Sequence, residues 1–181
     1  SGNDRVLREM NRRYTREQYL ELVNYAKSVM PDIVLTSDVI IGFPGETEAE
    51  AMDTVSLVEE VGFDALFTFL YSPRPGTKAA AMPDPATKEE KQVWFDRLLA
   101  VQNARSAEIH TGYIGRTVRV LVDGKSGDDA YPLSSRTEGN RLVRLKGDES
   151  LIGRFVQARI TASNTWALYG EVAETQPHCS C

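Results

Sequence analysis

Two β-prone runs, each closed by a Gly/Pro loop and then a helix-like segment, constrain this chain most. The first run ends in the loop Asp38–Thr47 (DVIIGFPGET), and the second in Leu70–Thr77 (LYSPRPGT). Strand, loop and helix in that order, twice, imply parallel strands joined by right-handed crossovers. Both loops then fall at strand carboxyl ends, where α/β proteins build binding sites. Two such loops predict one face that holds a ligand.

The helices between them carry start signals. Thr15–Gln18 (TREQ), Thr47–Glu50 (TEAE) and Thr87–Glu90 (TKEE) have the capping-box pattern, in which the first hydroxyl and the fourth side chain satisfy each other's amides. They predict helices from Thr15 to about Met30, from Thr47 to near Gly62, and from Thr87 to about Thr111. Trp94, Leu98, Val101 and Ile109 are expected to dock the last. The intervening strands are expected at Ile33–Ile41, covered on both faces, and at Ala65–Tyr71.

The pattern changes at Gly112–Gly115. Short alternating runs follow at Thr117–Val122, Asn140–Leu145, Phe155–Thr161 and Thr165–Val172. Several short strands in about sixty residues predict a small antiparallel β-barrel. The expected organisation is an incomplete α/β part over residues 1–112, a β-barrel over 113–173 and a polar tail over 174–181. Two β/α units cannot close a barrel, so the α/β part reads as the rear of a larger domain.

The net charge of −5 is uneven: residues 114–173 hold nine Lys and Arg against seven Asp and Glu, and the rest twelve against nineteen. This argues against a general nucleic-acid binder but leaves room for a modest basic face on the barrel. No run of roughly 18 apolar residues exists, so no membrane span is expected. The first residues lack a signal peptide's order, and a cytoplasmic location is expected. The two cysteines, Cys179 and Cys181, fall in the tail and read as solvated rather than as a disulfide or metal pair.

Several side chains stand out chemically. Gly42 and Gly45 permit conformations or approaches that other residues block, and Ile40 and Ile41 could offer an apolar wall to a flat base. Free amides at the helix start near Thr47 could meet an anion. Arg74, held between two prolines, could face a carboxylate, phosphate or RNA backbone. Asp38 lies in an apolar run and needs a partner such as Arg12, Arg13 or a ligand. No nucleophile or acid/base pair accompanies it, and His110 and His178 flank no other ligand type. On the barrel, Arg136, Asn140, Arg141, Arg144, Lys146 and Arg159 supply the positive face, suited to phosphates and stacked bases.

Four strings together, Ser1–Thr15 (SGNDRVLREMNRRYT), the two loops, and Ser135–Arg141 (SRTEGNR), resemble the methylthiotransferases of the radical S-adenosylmethionine superfamily, most of all the tRNA-modifying branch. The resemblance implies an α/β fold: the C-terminal part of a radical-SAM partial (β/α) barrel, followed by a TRAM β-barrel that binds RNA. It implies S-adenosyl-L-methionine and two [4Fe–4S] clusters in the full-length parent, an electron donor, and missing N-terminal domains of the same polypeptide that carry the cluster cysteines. The implied reaction is methylthiolation at C2 of an N6-isopentenylated adenosine next to the tRNA anticodon, with this chain alone inactive. Another RNA, a ribosomal protein, or a bare RNA-binding module on an α/β scaffold are the alternatives.

By motif match, Ser1 and Asn3 would lie near the ribose and Arg12 near the methionine carboxylate. Ile41, Phe43 and Gly45 would line the adenine side, with Asp38, Glu46, Tyr71 and Ser72 completing the cofactor set. Arg74, Thr77, Arg136, Asn140, Arg141 and Arg144 would meet RNA. The resemblance implies no catalytic residue and no metal ligand in this chain. One departure is local: the family's usual Gly-Arg-Thr is replaced by Ser135, Arg136 and Thr137.

Overall fold

A computed structural model describes residues 1–173. The chain divides into two compact units, Ser1–Arg105 and Ser106 onward. The break falls inside a helix, ahead of the expected 112/113 boundary.

In the first unit the order is α1 (Asp4–Glu9), α2 (Arg16–Val29), β1 (Thr36–Ile41), α3 (Glu48–Val61), β2 (Ala65–Leu70), a 3₁₀ turn at Ala79–Ala81, and most of α4 (Lys88–Thr111). All three capping boxes form. Gln18 and Thr15 exchange bonds of 3.0 and 3.2 Å, and Glu90 and Thr87 bonds of 2.8 and 3.2 Å. α1 is an addition to the sequence reading. Asn3 caps it, its Oδ1 accepting from the Arg5 and Val6 amides at 3.0 and 3.2 Å.

β1 and β2 form a two-stranded parallel sheet, with Asp38 opposite Phe67 and Ile40 opposite Phe69. Val39 and Ile41 face a core built with Val23 of α2, Val55, Val58 and Val61 of α3, and Trp94 and Leu98 of α4. The expectation that the first strand is covered on both faces is corrected. Helices α2, α3 and α4 pack on one face, and the other presents exposed Asp38, Phe67 and Phe69.

The second unit is a closed barrel of β3 (Thr117–Asp128), β4 (Tyr131–Thr137), β5 (Leu142–Lys146), β6 (Phe155–Ser163) and β7 (Leu168–Val172), in the order β3-β4-β5-β7-β6. Its core is Val120, Val122, Leu133, Val143, Leu145, Ala158, Ile160 and Leu168. Closing the sheet on itself removes the free edges that invite aggregation. The barrel is not wholly antiparallel, because β5 and β7 pair in parallel. β4 is a strand that alternation did not reveal, since Pro132 and two serines dilute it. Ser135, fully buried there, donates its hydroxyl to the Val143 carbonyl at 2.8 Å.

Candidate functional site

A concavity of about 580 Å³ opens at the carboxyl ends of β1 and β2. Strand alternation decides what lines it. Asp38, Ile40 and Phe69 come from the uncovered sheet face, and Leu70, Tyr71, Ser72, Arg74 and Thr77 from the end of β2 and the loop after it. Ser1, Leu7, Met10, Arg12 and Tyr14 supply the remaining wall from α1 and its flanks. Asn11 adopts a left-handed conformation (φ 57°) that reverses the chain after α1, and the Arg12 amide donates to the Leu7 carbonyl at 2.8 Å. Arg12, Asp38 and Arg74 are exposed, and their side chains have no hydrogen-bond or ion-pair partner among the described residues. Two cations and one carboxylate thus remain available to a ligand. The Tyr71 hydroxyl is buried and unpartnered, while its ring meets Phe43 edge-on at 5.3 Å. A buried hydroxyl without a partner is costly unless a ligand supplies one.

The structure thus brings Ser1, Arg12, Asp38, Tyr71, Ser72, Arg74 and Thr77 to one cavity. It does not bring Asn3, Ile41, Phe43, Gly45 or Glu46 to its wall. Asn3 caps α1 and donates to Asp53 at 2.7 Å. Ile41 is 0% exposed, so the adenine-side role expected for it is corrected: alternation turns it into the core and gives the wall to Ile40. Phe43 is buried behind Tyr71. The Gly45 carbonyl accepts from Arg5 at 2.7 Å, and Arg5 also grips Glu50 through two bonds of 2.5 and 2.6 Å.

Glu46, 2% exposed, is tied into its own loop. Its Oε2 accepts from the Gly42 and Phe43 amides at 2.5 and 3.2 Å, while Oε1 has no partner. Burial pushes its carboxyl above the ordinary carboxylate range, and the two amides pull it partly back. The amides near Thr47 are not free for an anion, because the capping box with Glu50 uses them at 2.9 and 3.4 Å. The first loop therefore shapes the site from behind, and the second loop forms its surface. Leu7, Met10, Tyr14 and Phe69 were missed as wall residues. A helix of six residues leaves too short a periodicity to read.

On the barrel the expected cations are largely engaged. Arg136 pairs with Asp123 and donates to the Asn140 carbonyl, at 3.4 and 3.3 Å. Asn140 adopts φ 60° in the β4–β5 turn. Arg144 donates to the Ser126 carbonyl at 2.9 Å. Arg141 is 8% exposed and stacks over Tyr113; its expected part as an RNA contact is corrected to a structural one. His110, also buried, places Nδ1 at 2.7 Å from the Asn164 carbonyl. Desolvation lowers its pKa, which agrees with an internal, neutral imidazole. Cys179, Cys181 and His178 lie outside the described residues. Among the described residues no group of three His, Cys, Asp or Glu is placed to hold a metal ion. No helix there is long and apolar enough to cross a membrane.

Comparison with known proteins agrees with this geometry. Residues 1–58 match the Radical SAM superfamily and residues 112–173 the TRAM domain. The chain is 45% identical over 174 residues to a tRNA-2-methylthio-N(6)-dimethylallyladenosine synthase of Thermoanaerobacter sp., covering 96% of this chain and 37% of that protein. It is 47% identical to proteins of the same name from Oceanobacillus iheyensis, over 96% of this chain and 34% of the relative, and Symbiobacterium thermophilum, over 97% and 37%. It thus spans just over a third of the length of these relatives. The chain is thus similar to one part of these methylthiotransferases, with a Radical SAM match over its start and a TRAM match over its end.

Proposed function

We propose that this chain is the part of a tRNA methylthiotransferase that grips S-adenosyl-L-methionine in its α/β unit and tRNA on its β-barrel. The observation that carries this reading is the cavity at the ends of β1 and β2. It combines an apolar wall (Ile40, Phe69), a partnerless guanidinium (Arg12) and a buried, unsatisfied hydroxyl (Tyr71). That set fits a ligand with a flat base, a carboxylate and sugar hydroxyls. When bound, S-adenosylmethionine supplies a hydrogen-abstracting radical and a methyl group; the rest of the work is positioning.

Arg12 would hold the carboxylate, because a guanidinium with no competing partner gives a charge-assisted bond. Ile40 and Phe69 would bury the adenine and exclude water from it. Tyr71 would satisfy its hydroxyl on a ribose or amino group. Arg74, on the rim and stiffened by Pro73 and Pro75, would meet the phosphate backbone of the incoming RNA. The Thr77 hydroxyl is spent on the Arg74 carbonyl at 2.8 Å; its part is to shape that rim.

Among the described residues no group of His, Cys, Asp or Glu is placed to hold an iron–sulfur cluster. Two [4Fe–4S] clusters, an electron donor and a cytoplasmic setting are proposed for the whole protein. Its reaction would be methylthiolation at C2 of an N6-isopentenylated adenosine beside the anticodon.

Equilibrium dialysis with labelled S-adenosylmethionine tests the reading. The chain should bind it saturably and form no methylthio product with tRNA, and Arg12→Ala should weaken binding about ten- to hundred-fold. Absence of saturable binding at millimolar ligand, or binding indifferent to Arg12, would overturn it.

A further inference from the structure

The sequence pattern extends the last strand back to Thr165, but β7 begins at Leu168. Residues 164–167 form a turn instead. Asn164 builds it: its Oδ1 accepts from both the Trp166 and Ala167 amides at 2.8 Å, and its own backbone N–H donates to the Ala167 carbonyl oxygen at 2.9 Å. Its Nδ2 donates to the Tyr169 hydroxyl at 2.9 Å, and its carbonyl meets His110 at 2.7 Å. The turn is thus fixed from three directions, yet Trp166 at its tip is 71% exposed. The indole N–H has no partner among the described residues. A rigid turn that holds a tryptophan in water, rather than burying it, calls for an occupant.

The surroundings indicate which occupant. Tyr169 meets Tyr131 edge-on at 5.0 Å, and the Lys146 ammonium lies 5.4 Å from the Tyr131 ring centre. Arg144 pairs across the ladder with Tyr169, and Lys146 with Glu171. Arg144 uses one N–H on Ser126 and keeps the rest of its fork. Aromatic faces interleaved with cations match an unpaired, stacked base followed by its phosphates. Asp128, beside Tyr131, and Glu171, opposite Arg159, are the acids here against Arg144, Lys146 and Arg159, so the local balance favours an anionic partner.

We propose that Trp166 is a stacking platform for an unpaired nucleobase of RNA, with Arg144 and Lys146 serving the adjoining phosphates. This rests on the RNA-binding reading of the barrel and adds to it the residue that recognises a single-stranded base.

The probes are a short fluorescein-labelled single-stranded RNA and its duplex, used with the whole chain. The other tryptophan, Trp94, is buried in the first unit, so the Trp166→Phe spectrum gives the background to subtract. Trp166 emission should be quenched by the single strand and not by the duplex. Trp166→Ala should weaken single-strand binding about ten-fold, with the salt slope unchanged, because stacking releases no counterions. Trp166→Phe should retain most of the affinity and Trp166→Leu should not. RNA binding with unaltered Trp166 emission and a silent Trp166→Ala would overturn the platform and leave the RNA reading standing. No RNA binding by anisotropy, even at low salt, would overturn both. Concentration-dependent self-association abolished by Trp166→Ala, without any RNA effect, would overturn the platform in favour of a protein contact.

Discussion

The guanidinium of Arg141 lies 5.5 Å from the centre of the Tyr113 ring. Arg116 approaches the same ring at 4.9 Å, so one tyrosine carries two cations. With Arg141 buried, its charge serves the base of the barrel and not an RNA strand. Arg141→Ala should destabilise the barrel by about 1–2 kcal/mol through lost packing and cation–π contact. The slope of log Kd against log salt for tRNA should stay the same. A thermal melt paired with a salt titration checks this; a slope shallower by about one, at unchanged Tm, would show that Arg141 contacts phosphate after all.

Glu50 gives the first unit an acid limit. Arg5 holds its carboxyl down to about 2 from the usual 4.5, with help from Thr47. A depressed carboxylate stabilises the fold above its unfolded pKa and loses that contribution as pH falls through the folded value. The loss should therefore run from about pH 4.5 down to about pH 2. Because the Arg5 side chain is 42% exposed, solvent screening reduces the contribution to about 1–2 kcal/mol. Acid titration of the wild type against Glu50→Gln should show the two curves converging at the low end. A constant gap across that window would mean that the pair does not titrate as described.

The legible part of this fold was the part written in strong local signals. Three capping boxes marked three helices because their chemistry is satisfied within four residues. Alternation marked four of the barrel strands. β4 was hidden because Leu133 and Ser135 face the core there: a buried serine satisfied by a distant carbonyl has no signature in its own segment. Both loops were legible as neighbours, but not the direction each side chain takes. Ile40 and Ile41 are interchangeable by composition, and only the position of α2, α3 and α4, on one face of β1, assigns Ile41 to the core. The barrel arginines were over-read for the same reason: a charge in sequence does not disclose that Tyr113, Asp123 or Ser126 already holds it.

Glu46 should respond to pH with the opposite sign from Glu50. Burial raises its pKa, so its carboxyl opposes folding once ionised, and any stabilisation it gives exists only in acid and fades as pH rises through the folded value. Glu46→Gln keeps an acceptor for the Gly42 and Phe43 amides without the charge. Its stability should match or exceed the wild type at pH 8 by up to about 1–2 kcal/mol, and the difference should vanish near pH 4. Glu46→Ala should instead lose about 2–3 kcal/mol, since two buried amides lose their acceptor. Melts of the three proteins between pH 4 and 8 test this. A Glu46→Gln protein markedly less stable than the wild type at pH 8 would mean that the ionised carboxylate has a compensating partner.

Gly170 tests how tightly the barrel closes. It lies on β7 opposite Ile160 of β6, beside the irregularity between Ile160 and Ala162. A Cβ built there would sit 2.4 Å from the Arg159 carbonyl oxygen and 3.4 Å from the Ile160 Cα. Both are backbone atoms, so no side chain can swing aside, and relief requires β6 and β7 to part. Their separation breaks ladder bonds that have no alternative partner in a closed barrel. Gly170→Ala should therefore destabilise the second unit by about 3 kcal/mol or more, above the usual range for a point substitution. The first unit has its own core and should keep the affinity for S-adenosylmethionine proposed for it. Hydrogen exchange resolved by segment would separate the two: loss of protection in β6 and β7 with α3 unaffected is the expected result. A barrel that tolerates the methyl group at wild-type Tm would show that the strands are further apart than this register allows.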